Sequence, residues 1–236
     1  MFEYAGAAGR TKLQRYWGAL KEYPSGVLLA AQVLGILVFP FTDEGEAGRT
    51  VISIFGLFVL GIAVLAVNRT PSTRIIAYSL GAPVVVLTIA QAFWNEVGWI
   101  EFTSNIAHAI FYFYTAVSLL RYMFADAWVS RDELMATGAT FTVLVWAFAY
   151  TYGAIQGIWP QSFSVEGQAR DLTWFELLFL STTTLTGTGL SDITPNTNPD
   201  SNFARSMVML QMLTGMNYVA LVIARLLGLT LIKFRR

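Results

Sequence analysis

A chain of 236 residues that is 55% hydrophobic and only 13% charged falls outside the range of ordinary soluble domains, which run at about 45–50% apolar and about 25% charged. With no cysteine, a disulfide framework and a thiolate metal site are both excluded. Fifteen basic residues balance fifteen acidic ones, so the distribution of charge along the chain informs more than its sum.

In chain order, the first 24 residues are polar, basic and aromatic, without the apolar core and small-residue cleavage site of a signal peptide. Residues 9–22 (GRTKLQRYWGALKE) fit a short amphipathic helix on the inner leaflet, with Trp17 and Leu20 inward, or a solvated basic tail that sets orientation. Six apolar runs follow, at about 25–42, 51–68, 75–94, 103–125, 135–156 and 203–232. Each is near the length that crosses a ~30 Å hydrocarbon core. They divide into a four-span front half (25–125) and a two-span rear half (134–236), joined by a linker at 126–133 (DAWVSRDE).

Charge sorts the connections into two sets. Arg10, Lys12, Arg15 and Lys21 precede the first span, Arg69 and Arg74 fill the second connection, and Arg121 and Arg131 flank the fourth, while Lys233, Arg235 and Arg236 end the chain. The other connections carry acids: Asp43, Glu44 and Glu46, then Glu96 and Glu101, then Glu166, Asp171, Asp192 and Asp200. Only Arg49, Arg170 and Arg205 oppose these. By the positive-inside rule both termini are cytoplasmic, and an even number of spans agrees with their lying on one side. The expected location is the cell membrane, inner or plasma.

The front half holds little chemistry. A voltage sensor needs several basic residues crossing the field in span four, each contributing ~2.3 kcal/mol per 100 mV. Span four (FTSNIAHAIFYFYTAVSLLRYMF) has Arg121 alone, and spans two and three offer no acid to receive gating charges. His108, the single histidine, reads as a neutral group bonded to Ser104 or nearby backbone, with a proton-sensing role the sharper and less favoured alternative. Trp94 and Trp99 read as interface anchors. No paired-carboxylate, nucleophile–base or metal-ligand constellation occurs, so the chain is not expected to be an enzyme, and no cofactor or nucleic-acid partner is implied.

Residues 172–195 (LTWFELLFLSTTTLTGTGLSDITP) are the most informative stretch. They read as a half-length helix, started by a Thr173/Glu176 capping box, that runs into a Thr/Gly-rich extended segment. At membrane depth such a backbone must line a cavity or pore, since lipid leaves its carbonyls unpaired. The expectation is a re-entrant loop opening to the outside, whose carbonyls bind ions. The pattern occurs once and no internal repeat is visible, so a pore requires several chains around an axis. Few residues follow the last span, and no soluble ligand-binding domain is expected.

From Thr184 to Pro195 the chain reads T-L-T-G-T-G-L-S-D-I-T-P. This resembles the T-L-T-T-V-G-Y-G-D-I-T-P pattern of the potassium-channel superfamily's pore module, in its bacterial two-helix "ion channel" type. Thr184, Leu185, Thr186, Gly189, Asp192, Ile193, Thr194 and Pro195 fall in register without a gap, and FARSMVMLQMLTGMNYVALVIARLLGL resembles the family's inner helix. Together with the six apolar runs, the resemblance implies an all-α integral membrane protein with six transmembrane helices. A re-entrant pore helix and filter would lie between spans five and six, and the bilayer-embedded pore would be a homotetramer. It implies a filter of Thr186, Gly187, Thr188, Gly189, Leu190 and Ser191, with K⁺ at the carbonyls of Gly187, Thr188, Gly189 and Leu190 and Na⁺ as the alternative permeant ion. Asp192 falls at the outer mouth, as a field-setting or a turn-capping residue, and Gly215 at the hinge-glycine position.

In the filter, T-V-G-Y-G has become G-T-G-L-S. Such a filter alternates right- and left-handed backbone, and Gly187 and Gly189 have the required parity. Ser191 occupies the next left-handed position, where a β-carbon costs roughly 1 kcal/mol or more. Gly187 lacks the hydroxyl of the innermost family site, with Thr186 or Thr188 as substitutes. Leu190 replaces the aromatic spring, packing on Phe179 and Leu180 without a hydrogen bond. A looser outer filter implies fewer ordered sites and weaker discrimination of K⁺ from Na⁺. On the inner helix, Met216, Val219, Ile223 and Leu227 form an apolar face with Gly215 that lines the vestibule and gate or packs on span five. Asn217 and Tyr218 are a polar pair at mid-depth, and Arg225 snorkels or pairs near the inner surface. The rival readings are a weakly selective cation channel, a non-conducting or regulatory protein with a degenerate pore module, and an alternating-access transporter. The last would normally need inverted repeats.

Overall fold

A computed structural model describes residues 23–41, 46–67, 71–94, 97–125 and 130–234. The basic N-terminal segment up to residue 22, Asp43, Glu44, Arg69, Glu96, residues 126–129 of the linker, Arg235 and Arg236 lie outside the described residues. Among the described residues seven long or half-length helices run in order: α1 (Pro24–Val38, extended by a 3₁₀ turn Phe39–Phe41), α2 (Glu46–Val67), α3 (Pro71–Phe93), α4 (Gly98–Met123), α5 (Arg131–Ile158), α6 (Trp174–Thr186) and α7 (Asn202–Phe234). Six of them sit on the six apolar runs of the sequence. Most begin a few residues before those runs. Pro24 opens α1 at a position where no amide is needed. The Ser130 side chain opens α5 by accepting the Glu133 amide at 3.1 Å.

Among the described residues three helical stretches are long and apolar enough to cross a membrane: Pro24–Phe41, Arg131–Ile158 and Pro199–Leu227. Ile54–Ala66 in α2 and Ile75–Gln91 in α3 are shorter apolar helices. α4 carries Ser104, Asn105, His108 and Thr115 on its buried side, polar groups that lower its hydropathy while packing inward.

The packing centres on α5, which is buried all round from Val143 to Ala149, as expected of a helix apolar on every face. It lies against α1 and α4 on one side and α6 and α7 on the other. Small residues permit close approach: a β-carbon at Gly153 of α5 would stand 2.9 Å from the Asn105 side chain of α4. α7 differs, burying one narrow stripe at intervals of three and four (Ala204, Val208, Gln211, Gly215, Tyr218). Most of its other residues from Asn202 to Leu227 are exposed in the single chain.

One end of the bundle is tied together by polar side chains. Asp132 at the start of α5 accepts from the Ser25 amide (3.0 Å) and hydroxyl (3.0 Å) at the start of α1, and from the Tyr122 hydroxyl (3.1 Å) near the end of α4. Beside it, Arg225 of α7 lies 3.6 Å from the Glu133 carboxylate and 4.9 Å from the centre of the Phe124 ring.

The other end holds a feature that an all-α expectation lacks. Three short strands, β1 (Phe163–Val165), β2 (Gln168–Ala169) and β3 (Ile193–Pro195), form an antiparallel sheet in the order β2-β1-β3. β1 and β2 are joined by Glu166 (φ 51°) and Gly167 (φ 81°), a two-residue turn with both φ values positive, which matches the right-handed twist of a hairpin. The Glu-Gly pair marks this turn, but strands of two or three residues are too short to show an alternating pattern.

Candidate ion-conduction site

The site is built on α6, whose 13 residues span about 20 Å, too short to cross a membrane. The expected capping box is present: the Thr173 hydroxyl accepts the Glu176 amide at 3.4 Å, and the Glu176 carboxylate accepts the Thr173 amide at 2.8 Å. Arg170 clamps the same carboxylate with both guanidinium nitrogens, one at 2.9 Å. That charge-assisted pair, followed by the Thr173 hydrogen bonds, holds the Glu176 carboxyl below the usual carboxylate range against the opposing effect of desolvation. Gln156 at the end of α5 grips the approach to the helix, accepting the Leu172 amide at 3.1 Å and donating to the Leu172 carbonyl at 3.0 Å.

Across the middle of α6 runs a buried polar network that sequence reading did not single out. The Gln211 side chain of α7, with no exposed surface, donates to the Ser181 carbonyl (2.9 Å) and hydroxyl oxygen (2.7 Å). The Ser181 hydroxyl in turn donates to the Val145 carbonyl of α5 at 2.7 Å. The Tyr152 hydroxyl of α5 donates to the Gln211 side-chain oxygen. Three helices are thus joined through one amide. A lone glutamine among the apolar residues of an inner helix was the available signal.

At its C-terminal end α6 stops on Gly187, which is left-handed (φ 70°), with its amide on the Thr184 carbonyl at 3.2 Å. Gly189 is left-handed as well (φ 64°), and among the described residues no other position from Thr188 to Ser191 has positive φ. The alternation therefore runs through both glycines and ends before Ser191, whose β-carbon opposes it. In its place the Ser191 amide turns back onto the Gly189 carbonyl at 3.0 Å, and the Ser191 hydroxyl oxygen accepts the Ile193 amide at 3.0 Å. At the inner end, the Thr186 and Thr188 hydroxyl oxygens stand 3.1 Å apart. This pair of hydroxyls sits where Gly187 offers none.

Thr186 through Leu190 are exposed and Ser191 is half-buried. Leu190 is 75% exposed in the single chain, so the expected packing on Phe179 and Leu180 covers little of it; Leu180 is buried and Phe179 exposed. Asp192 is exposed and its carbonyl accepts the Glu166 amide at 3.1 Å. Of the other outer acids, Asp171 accepts the Gln161 amide at 2.7 Å and so fixes a loop residue with φ 59°.

α7 lies against the end of α6 at Gly215, where an added β-carbon would fall 2.0 Å from the Leu185 carbonyl oxygen. Gly215 therefore belongs to the packed stripe, not to the face of Met216, Val219, Ile223 and Leu227. Those four are exposed, Met216 by 72%, so packing on the fifth span does not account for them. Tyr218 donates to the Thr137 carbonyl of α5 and packs on Phe141 at 5.7 Å, whereas Asn217 bonds only its own helix, donating to the Leu213 carbonyl at 2.8 Å. Arg225 pairs with Glu133. In the front half, His108 donates through Nδ1 to the Ser104 carbonyl at 2.8 Å and stacks on Tyr150 at 4.2 Å. Tyr150 lies 4.2 Å from Trp174, the first residue of α6.

No curated protein and no solved structure matches the chain. The family model described as "Ion channel" matches residues 139–230, from early in α5 to the last turns of α7. A half-length capped helix, two left-handed glycines at its end and most of a flanking helix that buries one narrow stripe lie inside that match. Over this region the chain is similar to the ion-channel family, and the match supports a pore module of the potassium-channel superfamily.

Proposed function

We propose that the protein is a homotetrameric channel passing monovalent cations, with K⁺ the favoured ion, through backbone carbonyls at Gly187, Thr188, Gly189 and Leu190. The observation that carries this reading is the pair of left-handed glycines at the end of α6, since alternating handedness is what turns successive carbonyls to one side. The exposed apolar residues of α7, among them Met209, Leu210, Leu213 and Leu221, supply surface for neighbouring copies. In this arrangement the six long helices cross the bilayer, α6 is re-entrant, and both termini are cytoplasmic in the cell membrane. The front four helices (25–125) form a sensor-like domain without gating charges, 126–133 a linker and 134–236 the pore domain, and the channel is not voltage-gated.

Asp192 contributes negative potential at the outer mouth, and the C-terminal end of the α6 dipole favours a cation waiting in the cavity. Met216, Val219, Ile223 and Leu227 line the inner vestibule, whose narrowing excludes water. No cofactor and no catalytic step is part of this reading. The test is the reversal potential of the purified protein in planar bilayers under K⁺/Na⁺ bi-ionic conditions, with Cl⁻ varied separately. Reversal near the K⁺ limit is expected, and the absence of any cation current sinks the proposal in favour of a non-conducting role.

A second reading, a weakly selective cation channel, is favoured by one feature. The positive-φ alternation stops at Gly189, and the Gly189 carbonyl accepts the Ser191 amide instead of facing freely. Reversal near zero that ignores Cl⁻ is its signature.

A further inference from the structure

The outer end of the candidate filter has lost the aromatic side chain that would hold it, and Leu190 touches little of its own chain. Its backbone is nevertheless pinned within two residues. The Asp192 carbonyl accepts the Glu166 amide at 3.1 Å, and Ile193–Pro195 pairs with β1 in the register Val165 with Ile193, Ser164 with Thr194 and Phe163 with Pro195. Beyond them the Asn196 amide donates to the Ser162 carbonyl at 2.8 Å. These flanking bonds place Ser164 and Thr194 in a hydrogen-bonded pair, so the Ser164 amide faces β3. The side chains reinforce it: the Ser164 hydroxyl donates to the Thr194 carbonyl at 3.3 Å and lies 3.1 Å from the Thr194 hydroxyl.

The hairpin is itself rooted. Phe163 has no exposed surface and meets the Tyr152 ring edge-on at 5.5 Å, and Ile193 is buried on the same side. Tyr152 is the residue that donates to Gln211, which in turn holds Ser181 in α6. The seat of α6 and the anchor of the filter's outer end therefore share one scaffold.

We propose that the β1–β2 hairpin is the positioning element of the outer filter: strand pairing between β1 and β3, centred on Ser164 and Thr194, sets where the carbonyls of Gly189 and Leu190 stand. Ser164 and Thr194 are positioning residues, acting through the β3 backbone that follows the filter. The inference rests on 187–191 being the conduction filter, and two readouts separate its fate from that of the filter reading. The first is amide hydrogen exchange of residues 187–197 against residues 174–186 in the full-length protein. The second is the K⁺/Na⁺ permeability ratio.

Ser164→Pro deletes the amide that faces β3. Exchange at 191–195 is expected to quicken about tenfold or more while α6 stays unchanged, and the permeability ratio is expected to fall at least about threefold. Ser164→Ala keeps the backbone bond and loses only the hydroxyl, so a smaller shift in the same direction is expected. It decides the matter if the proline variant does not assemble. Exchange at 191–195 unaltered in the assembled variants overturns the proposal, and so does loosened exchange with an unchanged permeability ratio. A wild type that passes no cation but shows the exchange effect removes the channel reading and leaves the strand anchor standing.

Discussion

Gly215 illustrates how one residue can satisfy a motif for a reason the motif does not state. At the hinge position of an inner helix its expected use is a bend. Here α7 runs unbroken past it from Asn202 to Phe234, and the glycine lets backbone meet backbone, with no room for a methyl group beside the Leu185 carbonyl. Gly215→Ala is therefore expected to destabilise the pore module by about 1–3 kcal/mol through overpacking. Gly56→Ala, where an added carbon meets nothing within 4 Å, should be near neutral. Thermal unfolding of the two variants in detergent checks the contrast; equal losses would mean that the contact at Leu185 relaxes freely. Ser191 makes the complementary point. Its β-carbon was legible as an obstacle to left-handed backbone, and the chain avoids that conformation there.

At the level of elements, α6 is held by three grips of different chemistry: a charge-assisted cap at Glu176, the Gln156 amide at its approach, and the Gln211 network at its middle. The last is the least replaceable, because Gln211→Leu removes the acceptor of the buried Tyr152 hydroxyl and a donor to the buried Ser181 hydroxyl. Orphaned polar groups of this kind cost about 1–3 kcal/mol, although within membranes hydrogen bonds measure nearer 0.6 kcal/mol on average. Gln211→Leu is expected to destabilise by about 1–2 kcal/mol, and adding Tyr152→Phe should recover part of that loss. Unfolding in mixed micelles, arranged as a double-mutant cycle, measures the coupling. Strictly additive losses would show that Tyr152 and Gln211 do not act together. The network escaped sequence reading because its members lie 30 and 59 residues apart, and no local pattern links them.

For the whole molecule, the question is which face of α7 meets water. The buried stripe through Gln211, Gly215 and Tyr218 leaves two sides exposed, one carrying Met216, Val219 and Ile223 and another carrying Leu210, Leu213 and Leu221. A tetrameric pore gives these sides different neighbours, aqueous for the first and protein or lipid for the second. Since the chain contains no cysteine, single replacements report cleanly. Met216→Cys and Val219→Cys are expected to react with a water-soluble thiol reagent applied from the inner side and to lose current, while Leu221→Cys should be inert. The reverse pattern would turn the helix around and remove the Met216 face from the pore.

The sequence by itself determined the membrane character, the six apolar runs, the half-length helix with its capping box, and the parity of Gly187 and Gly189. These are set by composition and by spacings of a few residues, and hydropathy, capping and glycine handedness act over such distances. Tertiary structure alone decided that Gly215 and Met216 lie on different faces and that Leu190 is largely exposed in the single chain. It also decided that Arg225 pairs with Glu133 and that Phe163–Val165 zips onto Ile193–Pro195. Each of these joins residues 28 or more positions apart or depends on which side of a helix meets a neighbour. Such choices are made by packing the whole bundle at once, and a strand of three residues acquires its identity only from the partner it pairs with.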